Sequence, residues 1–453
     1  LTSLGLHPFQ QDGVRALLER PGLLLADDMG LGKTVQATVA LRVLAAAGQL
    51  DEALVVVPAG LVTQWQQALR RWAPELVVST VKGPVGERAW QWRVPAQVRL
   101  VGYDTLRSDV TANPSCPPRS RVWDVVVLDE AQRVKNRDTA TARACKRLPR
   151  RRAWSLTGTP LENRVEDLLS VLEFTRPWTE GQPGTALPSG ATLRQRLAEV
   201  QLRRRRHDVL TELPPKRVVE IPLELTGAQR ESYRRAEKLG IVRLRALGRD
   251  VRVAHVLELI TRLKQICNVC PATGTSAKLD DLEARLDELS AQGHRALVFS
   301  QYTSADHGVG AIASRCARLR PLVYTGAQPL HERDEVVERF RADPAHRVLA
   351  LSLRAGGLGL NLQEASYVVH FDRWWNPAVE RQAEDRCHRM GQRLPVTVYA
   401  YRCVGTIEDR IQRILTEKQA LFDSLVDGVS LSVHSLLTKE ELFGLFSVPV
   451  PPR

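Results

Sequence analysis

The segment Leu23–Thr34, LLLADDMGLGKT, constrains this chain more than any other, because three leucines run straight into a glycine-punctuated turn that ends in Lys33 and Thr34. Such a turn is a phosphate cradle at the end of a strand. A strict phosphate-loop pattern would place glycine at Asp27, so only the shorter core Gly30-x-Gly32-Lys33-Thr34 remains. That core is what the chemistry needs. Gly30 and Gly32 let backbone N–H groups turn onto phosphate oxygens, Lys33 supplies a point charge, and the Thr34 hydroxyl can ligate magnesium. A helical run follows at once and stops at Gly48, so its positive end points at the anion.

A chain of 453 residues is too long for one core and predicts two domains. Short aliphatic strands alternate with helical stretches at Leu23, Ala53, Val98, Asp124 and Trp154, and a second set begins at Arg295, Pro321, Arg347, Tyr367 and Val396. Uninterrupted apolar strands between helices predict parallel sheets covered on both faces, hence an α/β chain of two lobes. Helical periodicity dominates from about Leu161 to Cys270, and Pro214 and Pro215 read as an interlobe linker. The N-terminus has no signal-peptide pattern and no run is long enough to span a bilayer, which leads us to expect a soluble, intracellular protein. A first residue of Leu rather than Met suggests an excised domain.

The net charge of +13, carried mostly by arginine, points to a polyanionic partner. The seven cysteines show no disulfide spacing. The lone CxxC, Cys267 to Cys270, lacks the second pair that a zinc site needs. Downstream of the glycine turn, VVVLDEAQ delivers Asp129 and Glu130 at the end of a buried strand. Divergent side chains there allow Asp129 to hold magnesium while Glu130 activates water. A glycine turn with Lys-Thr followed by such an acidic pair specifies a nucleotide triphosphatase.

These motifs, with LHPFQQDGV at Leu6, LTGTPLEN at Leu156 and QAEDRCHRMGQ at Gln382, resemble those of the Swi/Snf family of superfamily-two, helicase-like DNA translocases. The resemblance implies two tandem RecA-like lobes. The first is expected over 1–212 with a helical insertion at about 162–205, the second over 213–425 with a helical insertion at about 223–272, and a tail over 426–453 packing on the core. It implies ATP between the lobes, contacted by Gln10 at the base, by Asp28, Met29, Gly30, Leu31, Gly32, Lys33 and Thr34 at the phosphates, and by Gly357, Arg386 and Arg389 from the other side. Thr34 and Asp129 would hold Mg2+, and Lys33, Asp129, Glu130, Arg386 and Arg389 would be catalytic. Arg386 and Arg389, three apart, are expected on one helix face as arginine fingers.

Pro58 and Ala59 in VVPAGLVTQW, and Tyr103 and Thr105 in VGYDTL, fall at first-lobe DNA motifs. Ser300 and Gln301 in RALVFSQYTS, Ser352, Arg354, Ala355 and Gly356 in LSLRAGGLGLNL, and Trp375 before Asn376-Pro377 fall at second-lobe ones. Gln132 stands where the family has histidine, which touches coupling more than hydrolysis. The run Arg203–Arg206 reads either as the family's basic segment or as a solvated charge run. The expected activity is ATP-driven movement on double-stranded DNA without strand separation, by a monomeric core that works with further domains or subunits and no membrane. A strand-separating helicase and a nucleotide-switched scaffold are the alternatives. The compact insertions suggest a prokaryotic, nucleoid-associated cytoplasmic protein; a eukaryotic one would be nuclear.

Overall fold

The computed structural model describes residues 5–112, 116–158, 165–175, 197–210, 212–356, 360–374, 377–425 and 437–450. The chain divides into two compact units, Leu1–Thr211 and Glu212–Arg453.

The first unit carries a seven-stranded sheet of β1 (Gly22–Leu25), β2 (Ala53–Val57), β3 (Val78–Val81), β4 (Val98–Gly102), β5 (Trp123–Asp129), β6 (Arg150–Leu156) and β7 (Gln201–Leu202), in the order β3-β4-β2-β5-β6-β1-β7. Every pairing is parallel. The continuous aliphatic runs are explained by burial on both faces. Leu23, Val55, Val57 and Val127 enter one apolar cluster, and their neighbours Leu24, Val56, Val126 and Leu128 enter the other.

The second unit repeats the plan with β8 (Lys216–Leu223), β9 (Ala296–Ser300), β10 (Leu322–Tyr324), β11 (Val348–Ser352), β12 (Tyr367–His370) and β13 (Val396–Cys403), in the order β10-β11-β9-β12-β13-β8, again all parallel. Leu297 and Phe299 face one cluster, Ala296 and Val298 the other. A third apolar cluster joins helices Gly227–Ala246, Val253–Asn268 and Ile407–Leu425 with Leu442, Phe443, Leu445 and Phe446 near the C-terminus. No helix among the described residues is long and apolar enough to cross a membrane.

Two sequence expectations need correction. The stretch expected as a helical insertion to about residue 205 ends instead in β7, which pairs with β1 at Leu24↔Gln201 and Leu25↔Leu202 and closes the edge of the first sheet. Pro214 and Pro215 are not free linker residues. His388 Nε2 lies 2.8 Å from the Pro214 carbonyl oxygen, and the Pro215 carbonyl accepts from the Val396 N–H, so both belong to the second unit as the lead-in to β8.

Candidate nucleotide site

β1 ends at Leu25 and the chain turns through Asp27–Gly32 into the helix Lys33–Ala46. Gly30 and Gly32 have φ of 85° and 75°, a left-handed backbone that side chains disfavour, and Gly32 is the helix N-cap. Helix N–H groups therefore open toward the turn. Thr34 is half-buried in the first helical turn. Lys33 Nζ donates to the carbonyls of Asp27 (2.7 Å) and Asp28 (3.1 Å). Burial lowers its ammonium pKa, opposed by Asp27, Glu130, Asp129 and Asp28, so this cation and the acidic pair share one electrostatic neighbourhood. Gln10, expected at the base, is buried, with its Nε2 on the Leu31 carbonyl at 3.2 Å and its Oε1 accepting the His7 N–H. Here its amide supports the loop.

Asp129 is the last residue of β5, and both its oxygens are engaged. Oδ2 accepts from Trp65 Nε1 at 2.7 Å and Oδ1 from the Glu130 N–H at 2.9 Å. Burial first, and Glu130 second, push its carboxyl up to about 6. Sequence spacing placed Glu130 on the strand. It instead steps off it with φ 52° and ψ 53°, so backbone turning rather than strand alternation separates the two carboxylates. Glu130 Oε2 accepts from Gln132 Nε2 at 2.5 Å, and Gln132 Oε1 accepts from the Thr157 hydroxyl at 2.9 Å. The glutamine thus bridges the acidic motif to the TGTP motif. Gly158 closes the same space: a Cβ there would lie 2.5 Å from Met29 Cγ and 3.0 Å from Lys33 Nζ. Loop, acidic pair and the Thr157-Gly158 pair converge in the first unit.

In the basic run Arg203–Arg206, Arg204 and Arg206 are turned onto the loop while Arg205 is exposed. Arg204 Nε and Nη2 donate to Asp27 at 2.9 and 2.5 Å, and the Arg206 guanidinium donates to the Met29 carbonyl at 3.1 and 2.5 Å. Sequence reasoning missed Trp65, Arg204 and Arg206 as parts of this site, since each reaches it from a distant segment.

Of the DNA-motif residues in the first unit, Pro58 and Tyr103 are buried and Ala59 is exposed. Tyr103 donates its hydroxyl to the Asp129 carbonyl at 2.8 Å. Thr105 and Ala59 come together over Gly102, where a Cβ would lie 3.8 Å from Thr105 Oγ1 and 4.0 Å from Ala59 Cα.

In the second unit Ser300 and Ser352 are register partners at the ends of β9 and β11, and both are buried. Ser300 Oγ donates to Asp372 Oδ2 at 2.5 Å, and the Gln301 N–H to Asp372 Oδ1 at 2.9 Å. The side-chain nitrogen of Gln301 is buried without a partner among the described residues. Ala355 is buried in the short helix Leu353–Gly356, which also contains Arg354. Gly357 and Trp375 lie outside the described residues.

Arg386 and Arg389 do not share a helix face. The helix Pro377–Glu384 stops first, and Arg386 N–H bonds back three residues to Ala383 as the chain tightens into turns. Glu384 anchors that end, with its carboxylate 2.6 Å from Lys216 Nζ and 3.3 Å from His370 Nε2. Burial alone would raise this carboxyl, yet His370 and Lys216 outweigh it and hold it at about 2. Arg386 is buried, and Arg389 is partly exposed. Cys267, of the CxxC, clusters with Cys403 and Glu408 rather than with Cys270. Glu408 is already bonded to Lys278 and to the Cys403 N–H.

Residues 9–271 match the SNF2-related domain, and residues 277–391 match the helicase conserved C-terminal domain. A Bacillus subtilis protein named as an ATP-dependent helicase/translocase, YwqA, is 33% identical over 97% of this chain and 51% of its own length. A Mycoplasma pneumoniae protein named as an uncharacterized ATP-dependent helicase is 32% identical over 97% of this chain and 44% of its own length. The chain spans about half the length of the curated relatives it matches. The Sulfolobus solfataricus SWI2/SNF2 ATPase core, solved in complex with dsDNA, is 27% identical with a TM-score of 0.43, over 98% of this chain and 97% of that one. With the SNF2-related match alone covering more than half of its residues, the chain belongs to the SNF2-related family.

Proposed function

We propose that this chain is the catalytic core of an ATP-dependent translocase on double-stranded DNA, stepping along the duplex or remodelling protein–DNA complexes without separating strands. The observation that carries the reading is the convergence of Lys33, Asp129, Glu130 and Thr157 around a glycine-shaped turn, in a chain of this family. Two adjacent carboxylates, one pushed up to about 6, form a hard-oxygen set short of positive charge, which suits a divalent cation. Thr34 and Asp129 would hold Mg2+ there, and the ion would offset phosphate charge when bound.

Around it, the N–H groups at Gly30–Thr34 receive phosphate oxygens, and the Lys33 amine exchanges its carbonyl partners for them. Glu130 takes the proton of the attacking water, held by Gln132. Through Gln132 the Thr157 hydroxyl senses that carboxylate, which gives the TGTP motif a route to report hydrolysis. Arg386 and Arg389, from the second unit, act on the γ-phosphoryl as charge builds on it. Asp28, Met29 and Leu31 shape the phosphate loop, and Gln10 orders it from behind.

Of the DNA-motif residues, Ala59, Thr105, Gln301, Arg354, Gly356 and Trp375 are proposed to meet the DNA backbone. Tyr103, Ser300 and Ser352 hold the loops that carry them. Pro58 and Ala355 shape those turns, and Gly357 is proposed as a nucleotide contact. Net charge of +13 supports the polyanionic track.

The test is ATP turnover with duplex DNA, single-stranded DNA, RNA and no nucleic acid, paired with displacement of a third strand from a DNA triplex. The expected result is turnover stimulated most by duplex, ATP-dependent triplex displacement and no unwinding of a blunt duplex. Efficient unwinding would make the protein a strand-separating helicase. Hydrolysis indifferent to DNA would make it a nucleotide-switched scaffold.

A further inference from the structure

Asp27 is fully buried at the position where a strict phosphate loop has glycine. A buried carboxylate needs both charge and hydrogen bonds returned to it. Here they come from a segment far along the chain. Arg204 donates to Asp27 through Nε at 2.9 Å and Nη2 at 2.5 Å, and its backbone N–H adds a third bond at 3.1 Å. Gln36 Nε2 supplies a fourth at 3.2 Å. The Arg204 guanidinium also bonds the Phe9 carbonyl and lies over the Phe9 ring, 5.5 Å from its centroid.

The surroundings are cut to fit that guanidinium. A Cβ on Gly13 would lie 1.8 Å from Gln36 Oε1 and 2.8 Å from Arg204 Nη2, so the helix Pro8–Glu19 carries glycine where it crosses the pair. The strand pairing of β1 with β7 also runs on past both strands into the loop. The Ala26 N–H donates to the Leu202 carbonyl at 2.8 Å and the Asp28 N–H to the Arg204 carbonyl at 3.0 Å. In return, the Arg206 N–H bonds Asp28 Oδ2 at 2.9 Å, and its guanidinium bonds the Met29 carbonyl. Residues 26–29, the first half of the phosphate turn, are therefore shaped on one side by Leu202–Arg206. That segment ends just before the boundary between the units at Thr211.

We propose that Arg204 is a positioning residue for the phosphate loop, its fork on Asp27 holding the turn in the form that accepts a nucleotide, with Arg206 as its second clasp on Met29. The inference rests on the proposed nucleotide role of the loop. Neither arginine needs to touch the nucleotide. Docking of Leu202–Arg206 and binding of nucleotide then favour each other reciprocally. Any event that pulls on this segment as it leaves the first unit lowers nucleotide affinity.

The test measures KM and kcat for ATP in the full chain carrying Arg204→Lys, Arg206→Ala or Gly13→Ala. Hydrogen exchange of the amides at 28–34 is followed in the same nucleotide-free proteins. Lysine keeps the charge but loses the planar fork. Arg204→Lys should raise KM by about five- to a hundredfold, with kcat at saturation nearly unchanged and loop exchange faster while β2 and β5 stay protected. Gly13→Ala should repeat that pattern, and Arg206→Ala should show it in weaker form. Because Arg206 is only half-buried, its variant keeps the test open if Arg204→Lys folds poorly.

Parent-like KM and loop exchange in Arg204→Lys would overturn the proposal. So would a uniform rise in exchange across the first unit with KM unchanged, the mark of a merely structural ion pair. A parent protein that binds no nucleotide would overturn the function proposed above, and the loop-exchange comparison would still decide whether the arginines shape the turn.

Discussion

Each sheet of this molecule delivers a carboxylate near the end of a central strand to neutral donors, and the two lobes differ in whether the nearby buried lysine pairs with a carboxylate. In the first, Asp129 ends β5 beside Glu130, and its neighbours are neutral donors, Trp65 and a backbone N–H, with Lys33 turned to the carbonyls of its own loop. Its carboxyl is held up at about 6. In the second, Asp372 follows β12 and accepts from Ser300, from the Gln301 N–H and from Asn268. Asn268 leads on to the buried Lys278, whose Nζ is 2.6 Å from Glu408. Burial alone would depress the Lys278 ammonium, but Glu408 and its neighbours outweigh that and hold it above its ordinary value. The second lobe closes its charges internally, as structure does. The first leaves an acidic pair undercompensated, as a site that awaits a cation and a phosphate chain does.

The largest way to probe that difference is Glu130→Gln. If this carboxylate activates water, turnover should fall about 10²–10⁴-fold while nucleotide still binds, as equilibrium titration with a fluorescent ATP analogue would record. Near-normal turnover would remove the first lobe's acids from the chemistry. In the second lobe Glu408→Gln strands Lys278 in the core. It should cost about 3–5 kcal/mol of stability, seen in denaturant unfolding, with nucleotide affinity close to parent. If affinity instead fell with no loss of stability, the two acid clusters would not differ in kind.

A smaller effect is expected from Gly158→Ala, whose methyl would press on Met29 and Lys33. Overpacking of this sort costs about 1–3 kcal/mol of folding stability, to be read as a lower melting temperature, together with weaker ATP binding where Met29 and Lys33 shift to relieve the clash. The smallest is pH dependence. Protonation of Asp129 as pH falls through about 6 should weaken Mg2+ binding about fourfold between pH 7 and pH 5.5, and a flat profile there would place the site's pH response elsewhere.

Much of this architecture is legible in the sequence, and the illegible parts share a cause. All ten strands expected from uninterrupted aliphatic runs are present. The three that were missed, β3, β7 and β8, are edge strands. One-sided exposure leaves β8 as KRVVEIPL, without a continuous apolar signature. The phosphate turn and the acidic pair are read directly because their chemistry is local. Arg204 on Asp27, Trp65 on Asp129 and Lys278 on Glu408 join residues far apart in sequence, and no periodicity encodes a partner at that range. The arginine pair at 386 and 389 was misread for a related reason: helix spacing continues past Glu384, but the bonds of Glu384 to Lys216 and His370 belong to tertiary structure.

The contrast between the lobes is tested most directly by the melting temperatures of Glu130→Gln and Glu408→Gln beside the parent at pH 7, without nucleotide or divalent cation. A carboxyl raised from 3.8 to about 6 on folding, as Asp129 is, stabilises the fold at low pH and loses that contribution as pH rises through about 6. Relieving its like-charged neighbour should therefore raise stability at pH 7. Glutamine at 130 keeps an oxygen for Gln132, so it should melt about 2–4 °C above the parent, whereas glutamine at 408 should melt several degrees below it. A Glu130→Gln protein that melts at or below the parent would contradict the account, because the first lobe's acids would then be as well compensated as the second's.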